Sequence, residues 1–473
     1  MQSLNRRHLL QTTSCGFGAL ATAALFNPLL QKTASASDMG SSNLPHHSPA
    51  AKRIIFLFMQ GGVSQVDSFD YKPDLAKRNG EQLTFDDARQ LAKIGKPTNH
   101  RLMQSPWRFR QYGQTGQYVS DLFPQMAQHV DEMTLLHAMH TDGVAHGPAT
   151  LFLHCGSTNF IRPSFGAWVL YGLGTENSDL PGFVSIAPSV GNGGARNYGS
   201  AFLPPQFQGT KVGAIGQSDL RIDSLTRSDV APETQREQFE LLQSLNRQQI
   251  ARRQRRDREL DAALESYDLA WRMQQTAPQV LDLTGETAAT ERMYGLDDPR
   301  TREYGQRCLL ARRLCESGVR FIQVNYGDNS ANPAWDQHSN LPKHAEHAFA
   351  VDRPIAGLLT DLKQRGLLED TVVWWGGEFG RTPYAQDNGT GRDHNPGGFT
   401  VWLAGGGIKR GFQHGGTDEF GFRGLHGKVH MHDLHATLLH QLGLDHEQLT
   451  YRHAGRDFRL TDVYGRVVKD IIA

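Results

Sequence analysis

The chain has 473 residues, in which 49 Lys and Arg balance 49 Asp and Glu, with 21 His besides. A formal net charge of zero excludes the strong basic field that favours nucleic acid. At about 150 residues per domain the length admits two or three domains, although large α/β enzyme domains reach this size as one. Of the four cysteines, Cys15 lies in the first segment and Cys155, Cys308 and Cys315 follow. An odd number without CxxC spacing means that disulfides do not organise the fold.

Arg6 and Arg7, followed by leucines and a weakly apolar stretch rich in Ala and Gly, read as an export signal of the twin-arginine kind. Gly16, Gly18, Asn27 and Pro28 interrupt the apolar run, which argues against a stable membrane span. The run ends at Ala34-Ser35-Ala36, a small-residue cleavage site, so residues 1–36 are expected to be removed. The expected location is the periplasm or cell surface, and the expected export partner is the Tat machinery. That route carries folded proteins, often around a cofactor loaded beforehand. Residues 37–51, rich in Ser, Pro and His, read as a flexible leader, and 52–473 as a single domain.

Apolar runs then recur at Arg53–Met59, Met133–His137, Val319–Val324, Thr371–Trp375 and Phe399–Ala404. Their continuity fits strands buried on both faces, and helical stretches such as Pro354–Arg365 lie between them. The expected class is therefore α/β, with a largely parallel central sheet flanked by helices. Between Pro232 and Gln279 the composition shifts to Glu, Arg, Gln, Leu and Ala with helical spacing, which predicts a long helical insertion, as a hairpin, over the body. Its Arg252-Arg253-Gln254-Arg255-Arg256 cluster reads as a solvated helix face.

Function collects at the carboxyl ends of strands in such sheets, and four loops stand out there. Gln60 to Asp70 contains Gly61-Gly62 and the hard oxygen donors Asp67 and Asp70. His137 to Thr150 holds His137, His140, Asp142 and His146, with His146 opening a helix whose first turn contains Pro148. A group there sits at the positive end of a helix dipole, so His146 is either a metal ligand or a nucleophile or anion-binding group. Asn332 to Asn340 places Asp336 and His338 two residues apart, on one face of an extended segment. Gly376 to Pro383 presents Glu378 and Arg381 at a strand end, and Gly391 to Gly398 carries Arg392, Asp393 and His394. Arg381 and Arg392 are candidates for holding an oxyanion. The carboxylates and imidazoles together suit a divalent metal, zinc first, with manganese, iron or calcium as the others.

Several segments carry a resemblance to a known family: the Gln60–Asp70 loop, CLLARRLCESGVRFIQV from Cys308, WDQH from Trp335, GGEFGRTP from Gly376, GRDHNPGG from Gly391 and LHATLLHQLGL from Leu434. These resemble the bacterial domain-of-unknown-function family numbered 1501, regarded as sulfatase-like members of the alkaline phosphatase superfamily. The resemblance implies an alkaline-phosphatase-like fold. It also implies that Asp336, His338 and His394 are metal ligands and that Glu378 stands where a strand-end Asp would. His146-Gly147-Pro148-Ala149-Thr150 follows the sulfatase register with His146 in the nucleophile's place and Thr150 in the arginine's, a departure that speaks against a formylglycine mechanism. Phe379 stands where many phosphatase-type members have a second His, and Gln60 replaces a first-strand acid, so Asp67 would have to serve and one metal is expected rather than two.

The metal set expected is thus Asp67, His146, Asp336, His338, Glu378, Asp393 and His394, with His146, Arg381 and Arg392 as catalytic candidates and Ser64 and Thr141 as spare nucleophiles. The leading function is hydrolysis of a phosphate or sulfate ester, on a small anionic ester or a sulfated or phosphorylated glycan, with no nucleic-acid partner. The alternative is a catalytically degenerate surface protein that keeps the site to hold a metal or an anion.

Overall fold

The computed structural model of the chain describes residues 44–86, 98–216, 219–223, 225, 229–252, 258–386 and 389–473. Residues 1–36, expected to be an export signal, lie outside the described residues with Arg6, Arg7 and Cys15, as do most of the arginines of the 252–256 cluster.

The sheet is built from β1 (Arg53–Met59), β2 (Met133–His140), β3 (Phe183–Ile186), β4 (Thr210–Val212), β5 (Phe321–Tyr326) and β6 (Thr371–Gly376). A two-stranded ribbon, β7 (Gly380–Ala385) and β8 (Arg392–Asn395), stands apart from it, and β9 (Phe399–Ala404), β10 (Phe412–His414) and β11 (Val429–His430) complete it. The order is β10-β2-β9-β6-β1-β5-β3-β4, with β11 also paired to β2. β1 lies at the centre, parallel to β6 (Ile55 opposite Val373) and to β5 (Ile55 opposite Ile322). Only β9 runs against the rest, antiparallel to both β6 and β2. The largely parallel α/β arrangement matches the all-apolar strand runs, since such strands must be covered on both faces.

Alternation along β1 shows how both faces are covered. Ile55, Leu57 and Met59 enter one core, which includes side chains of α5 (Pro299–Glu316) and α6 (His344–Gln364). Ile54, Phe56 and Phe58 enter the other, with α1 (His146–Cys155), α2 (Phe165–Leu173) and α7 (Met431–Gln441). Each of these six side chains is almost wholly removed from water, worth about 1.5–3 kcal/mol apiece against an exposed reference. Stacking of Phe56 on Trp374 across β1 and β6, centroids 3.6 Å apart, ties two central strands together.

The boundaries differ from the sequence reading where proline or glycine intervenes. α6 begins at His344, ten residues before Pro354, which stays inside the helix. Proline removes one hydrogen bond and usually marks a start, but burial of Val351, Ile355 and Leu358 on the same face outweighs that loss. β5 begins two residues after Val319, once the chain has left the turn at Gly318. The insertion folds as two helices, α3 (Pro232–Arg252) and α4 (Arg258–Leu281), and the Phe239 and Trp271 rings stack between them at 5.0 Å. Met273 and Ala277 dock α4 onto the first core. The leader expected at 37–51 is tied down over its described part: the N–H groups of His46 and His47 donate to Gly443 O, and those of Ala50 and Ala51 to Gln441 O.

Because β1, β2, β5 and β6 run the same way, their carboxyl ends share one edge. β9 runs oppositely, so its entry from the Asn395–Gly398 turn lies there too. The four sequence-nominated loops are therefore gathered by topology alone.

Candidate metal centre

Two glycines set the frame. Gly61, at φ +116°, passes directly beneath the ligand loop; a Cβ there would lie 2.8 Å from the backbone nitrogens of both Trp335 and Asp336. Gly391 abuts the backbone of His338 so closely that a side chain would collide with it. The 335–341 loop is thus clasped between the β1 loop and the β7–β8 ribbon. Arg392 N–H donates to Gln337 O at 3.1 Å and Leu341 N–H to Thr390 O at 3.0 Å.

Asp336 is the hub. One oxygen lies 2.8 Å from His338 Nε2 and 3.3 Å from His394 Nε2, and accepts from Arg381 at 2.7 Å. Its other oxygen is 3.2 Å from His146 Nε2. His338 Nε2 and His394 Nε2 are 3.0 Å apart. Each ring is held from behind through Nδ1: His146 by Glu378 at 2.7 Å, His394 by Val144 O at 2.9 Å and His338 by Gln386 Oε1 at 2.5 Å. All three of those partners accept, so each Nδ1 carries the hydrogen and each Nε2, when it holds no second proton, can present a lone pair to an ion.

Around one carboxylate, such nitrogens are held together either by a proton, as on His146, or by a cation that all of them ligate. Buried His146 Nε2 meets Asp336 at 3.2 Å in a charge contact and no other hydrogen-bond partner. Ligands of a tetrahedral ion with bonds of ~2.0–2.1 Å stand ~3.3 Å apart, close to the separations here. The residues fit a divalent metal held by His146, Asp336, His338 and His394, a nitrogen-rich set that favours zinc over calcium. His146, Asp336 and His394 form one compact ligand group, and His338, Asp393 and His394 another that shares His394.

The charges follow. Burial works against the imidazolium of His146, but hydrogen bonds to Asp336 and Glu378 outweigh it and raise its pKa to about 9, so an ion at this site takes the place of a proton on His146. Burial lowers His394 in spite of the Asp336 contact. For Asp336 burial acts upward, yet the three histidines and Arg381 hold its carboxyl well below the usual carboxylate range.

The remaining nominated residues take different places. Glu378 belongs to neither ligand group; it stands behind His146, fully buried, and accepts the Gly61 N–H at 2.9 and 3.1 Å. Asp67 is drawn off by Arg392, which donates to its two oxygens at 2.7 and 3.1 Å, and by Ser64 Oγ at 2.5 Å. Arg392 also donates to Thr382 O and Met103 O. Arg381 donates to Gly61 O, Gly62 O, Trp335 O and Arg392 O besides Asp336. Both guanidiniums are completely buried with every nitrogen engaged, so neither is available to an oxyanion; they brace the ligand loop instead. Asp393 lies at the mouth, 3.7 Å from His338 Nδ1. Ser64 is committed to Asp67, and Thr141 is buried. The Phe379 ring packs on His394 at 4.4 Å and on His146 at 5.0 Å, an apolar wall where a further ligand is absent.

A family model described as Protein of unknown function (DUF1501) matches residues 51–472. The chain belongs to the DUF1501 family. No curated protein matches this DUF1501 chain. Similar solved structures include the PsFucS1 sulfatase from Pseudoalteromonas sp., at 13% identity and TM-score 0.37 over 84% of this chain and 68% of that one. Another is the lipoteichoic acid synthase LtaP from Listeria monocytogenes, at 11% and 0.35 over 89% and 77%. A third is the alkaline phosphatase from the Antarctic bacterium TAB5, at 11% and 0.33 over 83% and 98%. Likeness at this level passes no residue role and no substrate to the DUF1501 chain.

Sequence reading passed over Gln386, the Val144 carbonyl and the Gly61 N–H, which orient the site without binding an ion. Gln386 carries no signal of its own; Val144 and Gly61 are backbone groups whose only mark is adjacency to His146 and the Gly61-Gly62 turn.

Proposed function

We propose that this chain is an exported, metal-dependent hydrolase of phosphate or sulfate esters. The observation that carries the reading is the convergence of three imidazole Nε2 atoms on the Asp336 carboxylate, each ring locked through Nδ1. The choice of anionic esters follows the resemblance of the WDQH and GRDHNPGG segments to sulfatase-like proteins. A divalent ion at this site would polarise the ester and acidify water. His146 is a ligand in this reading, its Nδ1 held by Glu378 and its Nε2 turned to the Asp336 carboxylate that the ion shares, and no covalent intermediate on it is invoked. Asp336, His338 and His394 complete the ligand set. Glu378 fixes the tautomer of His146, and the amino end of α1 favours negative charge beside it. Phe379 keeps one side dry, which strengthens the electrostatics.

The saturation of Arg381 and Arg392 favours one second reading: a binding protein that retains the metal and turns over no ester. Elemental analysis of the purified protein, with a panel of phosphate and sulfate monoesters and diesters assayed on the same sample, separates the two. Stoichiometric metal with turnover supports the hydrolase, metal without turnover the binder, and a metal-free active protein would sink both.

A further inference from the structure

The β1–β5 ladder runs one bond past the end of β1, where Gln60 N–H donates to Tyr326 O at 2.9 Å. Alternation therefore continues through Gln60 and puts its side chain on the face of Phe56 and Phe58, which α1 covers. The Phe58 ring meets the His154 ring of α1 edge to face at 4.8 Å. From Phe58 to Gln60 the strand climbs ~7 Å, and from His154 back to Thr150 the helix climbs ~6 Å. Gln60 thus comes level with Thr150, one turn from His146. Its backbone is stitched to the metal centre: Gln60 O accepts the Trp335 N–H at 3.2 Å, and the next residue, Gly61, gives its N–H to Glu378.

Gln60 is only 2% exposed, yet its carboxamide makes no hydrogen bond with any described residue. Gly327 makes room for it, since a side chain at 327 would collide with the amide. The fully buried Thr150 hydroxyl is likewise unpartnered among the described residues. Buried amides and hydroxyls are almost always satisfied, so two unpaired ones beside His146 mark the place of a group that is not part of the chain. α1 opens here without a side-chain cap, and a side chain at Gly147 would meet nothing within 4 Å. The charges around this place cancel or are negative. Arg381 is paired with Asp336 and Arg392 with Asp67, while Glu378 lies behind His146 and Asp393 at the mouth. What faces an incoming group is neutral: an amide, a hydroxyl and the amino end of a helix. Such donors hold one negative charge but bring no counter-charge for a second. Even with a divalent ion in place, the two unpaired carboxylates leave little positive charge for a doubly charged group.

We propose that Gln60 is a specificity-determining residue of this centre. Its free carboxamide donates to an oxygen of the ester's anionic group and selects tetrahedral oxyanions with a single negative charge, as in sulfate monoesters and phosphodiesters, over the doubly charged phosphate monoesters. The selection among esters rests on the hydrolase reading; the binding of the oxyanion by Gln60 does not.

The test is isothermal titration of the metal-loaded full chain with three anions that cannot be hydrolysed. Phenylsulfonate and methylphenylphosphinate each carry one negative charge, and phenylphosphonate above its second ionisation carries two. Wild type is expected to bind at least one of the first two more tightly than the third. Preference for the sulfonate assigns a sulfate ester, and preference for the phosphinate a phosphodiester. Gln60→Ala should weaken that binding about 10–100-fold, the worth of a hydrogen bond to a charged group, and Gln60→Glu should abolish it. Metal content and circular dichroism should be unchanged in both variants. No binding of any of the three, tightest binding of phenylphosphonate, or equal binding by wild type and Gln60→Ala overturns the proposal, as does loss of metal from Gln60→Ala, which would make Gln60 a ligand. Ester turnover measured on the same samples bears on the hydrolase separately. Gln60-dependent binding without turnover upholds the oxyanion site and removes the hydrolase, whereas turnover with binding indifferent to Gln60 does the reverse.

Discussion

Glu378 Oε1 lies 2.7 Å from His146 Nδ1, and the same carboxylate receives the Gly61 N–H on both oxygens. A residue nominated as a ligand thus acts one step back, fixing the tautomer of a ligand and joining it to the end of β1. Glu378→Gln keeps the size but offers one donor where only acceptors are wanted. Metal affinity should fall about 10–100-fold with the fold retained. Competition with a chromophoric chelator measures this; unchanged affinity would reduce Glu378 to a packing role.

His338→Ala and His394→Ala each remove one converging Nε2, and His146→Ala removes the third. All three variants should lose most of the bound metal while keeping wild-type circular dichroism, because in the proposed site each ring is a ligand and none is part of either core. Full metal content in the His146 variant would take His146 out of the ligand set and reopen its role as a nucleophile.

Asp67 and Arg392 are both at zero exposure, and their pairing joins the loop after β1 to the first residue of β8. Asp67→Asn leaves a buried guanidinium without its counter-charge, which should cost about 3–5 kcal/mol of stability. Metal content per folded molecule should nevertheless stay at the wild-type level, since Asp67 touches none of the three histidines. Denaturant titration beside elemental analysis of the same preparation tests both halves; loss of metal without loss of stability would restore Asp67 as a ligand.

The strands were legible because parallel strands covered on both faces must be apolar throughout, as Ile54 to Met59 are. Asp336, His338 and His394 were legible because imidazole and carboxylate at short spacing beside glycine have few structural uses. Asp67 and Arg392 were not, for a physical reason: their pairing joins residues 325 positions apart, and nothing local distinguishes a buried, saturated arginine from one open to a ligand. The same holds for Arg381, whose glycine neighbours suggested an accessible loop when they in fact allow close backbone approach. His344, at the start of α6, was hidden by Pro354 ten residues later.

Export is a separate expectation carried by Arg6 and Arg7. The twin-arginine receptor reads the guanidinium pair, so replacing both by Lys should hold the precursor in the cytoplasm at full length. Fractionation with an antibody to the chain decides it, and normal export of the Lys-Lys variant would remove the assignment.

Asp352, which is not among the ligand residues, couples stability to pH. From α6 it caps the helical turn Met126–Glu132, accepting the Gln125 and Met126 N–H groups at 2.8 and 2.7 Å. Burial pushes its carboxyl up to about 7, with the two N–H groups pulling partly the other way. An unfolded Asp titrates near ~3.9, so the folded protein binds this proton more tightly. The associated stability is therefore complete below about pH 4 and is lost as pH rises through about 7. Asp352→Asn cannot titrate, so the fall in urea midpoint between pH 5 and pH 8 should be smaller in the variant than in wild type. Every other titrating group is common to both proteins, and the difference between the two pH dependences isolates Asp352. Identical pH dependences would show that the carboxyl is ionised throughout, its two N–H donors having overcome the cost of burial.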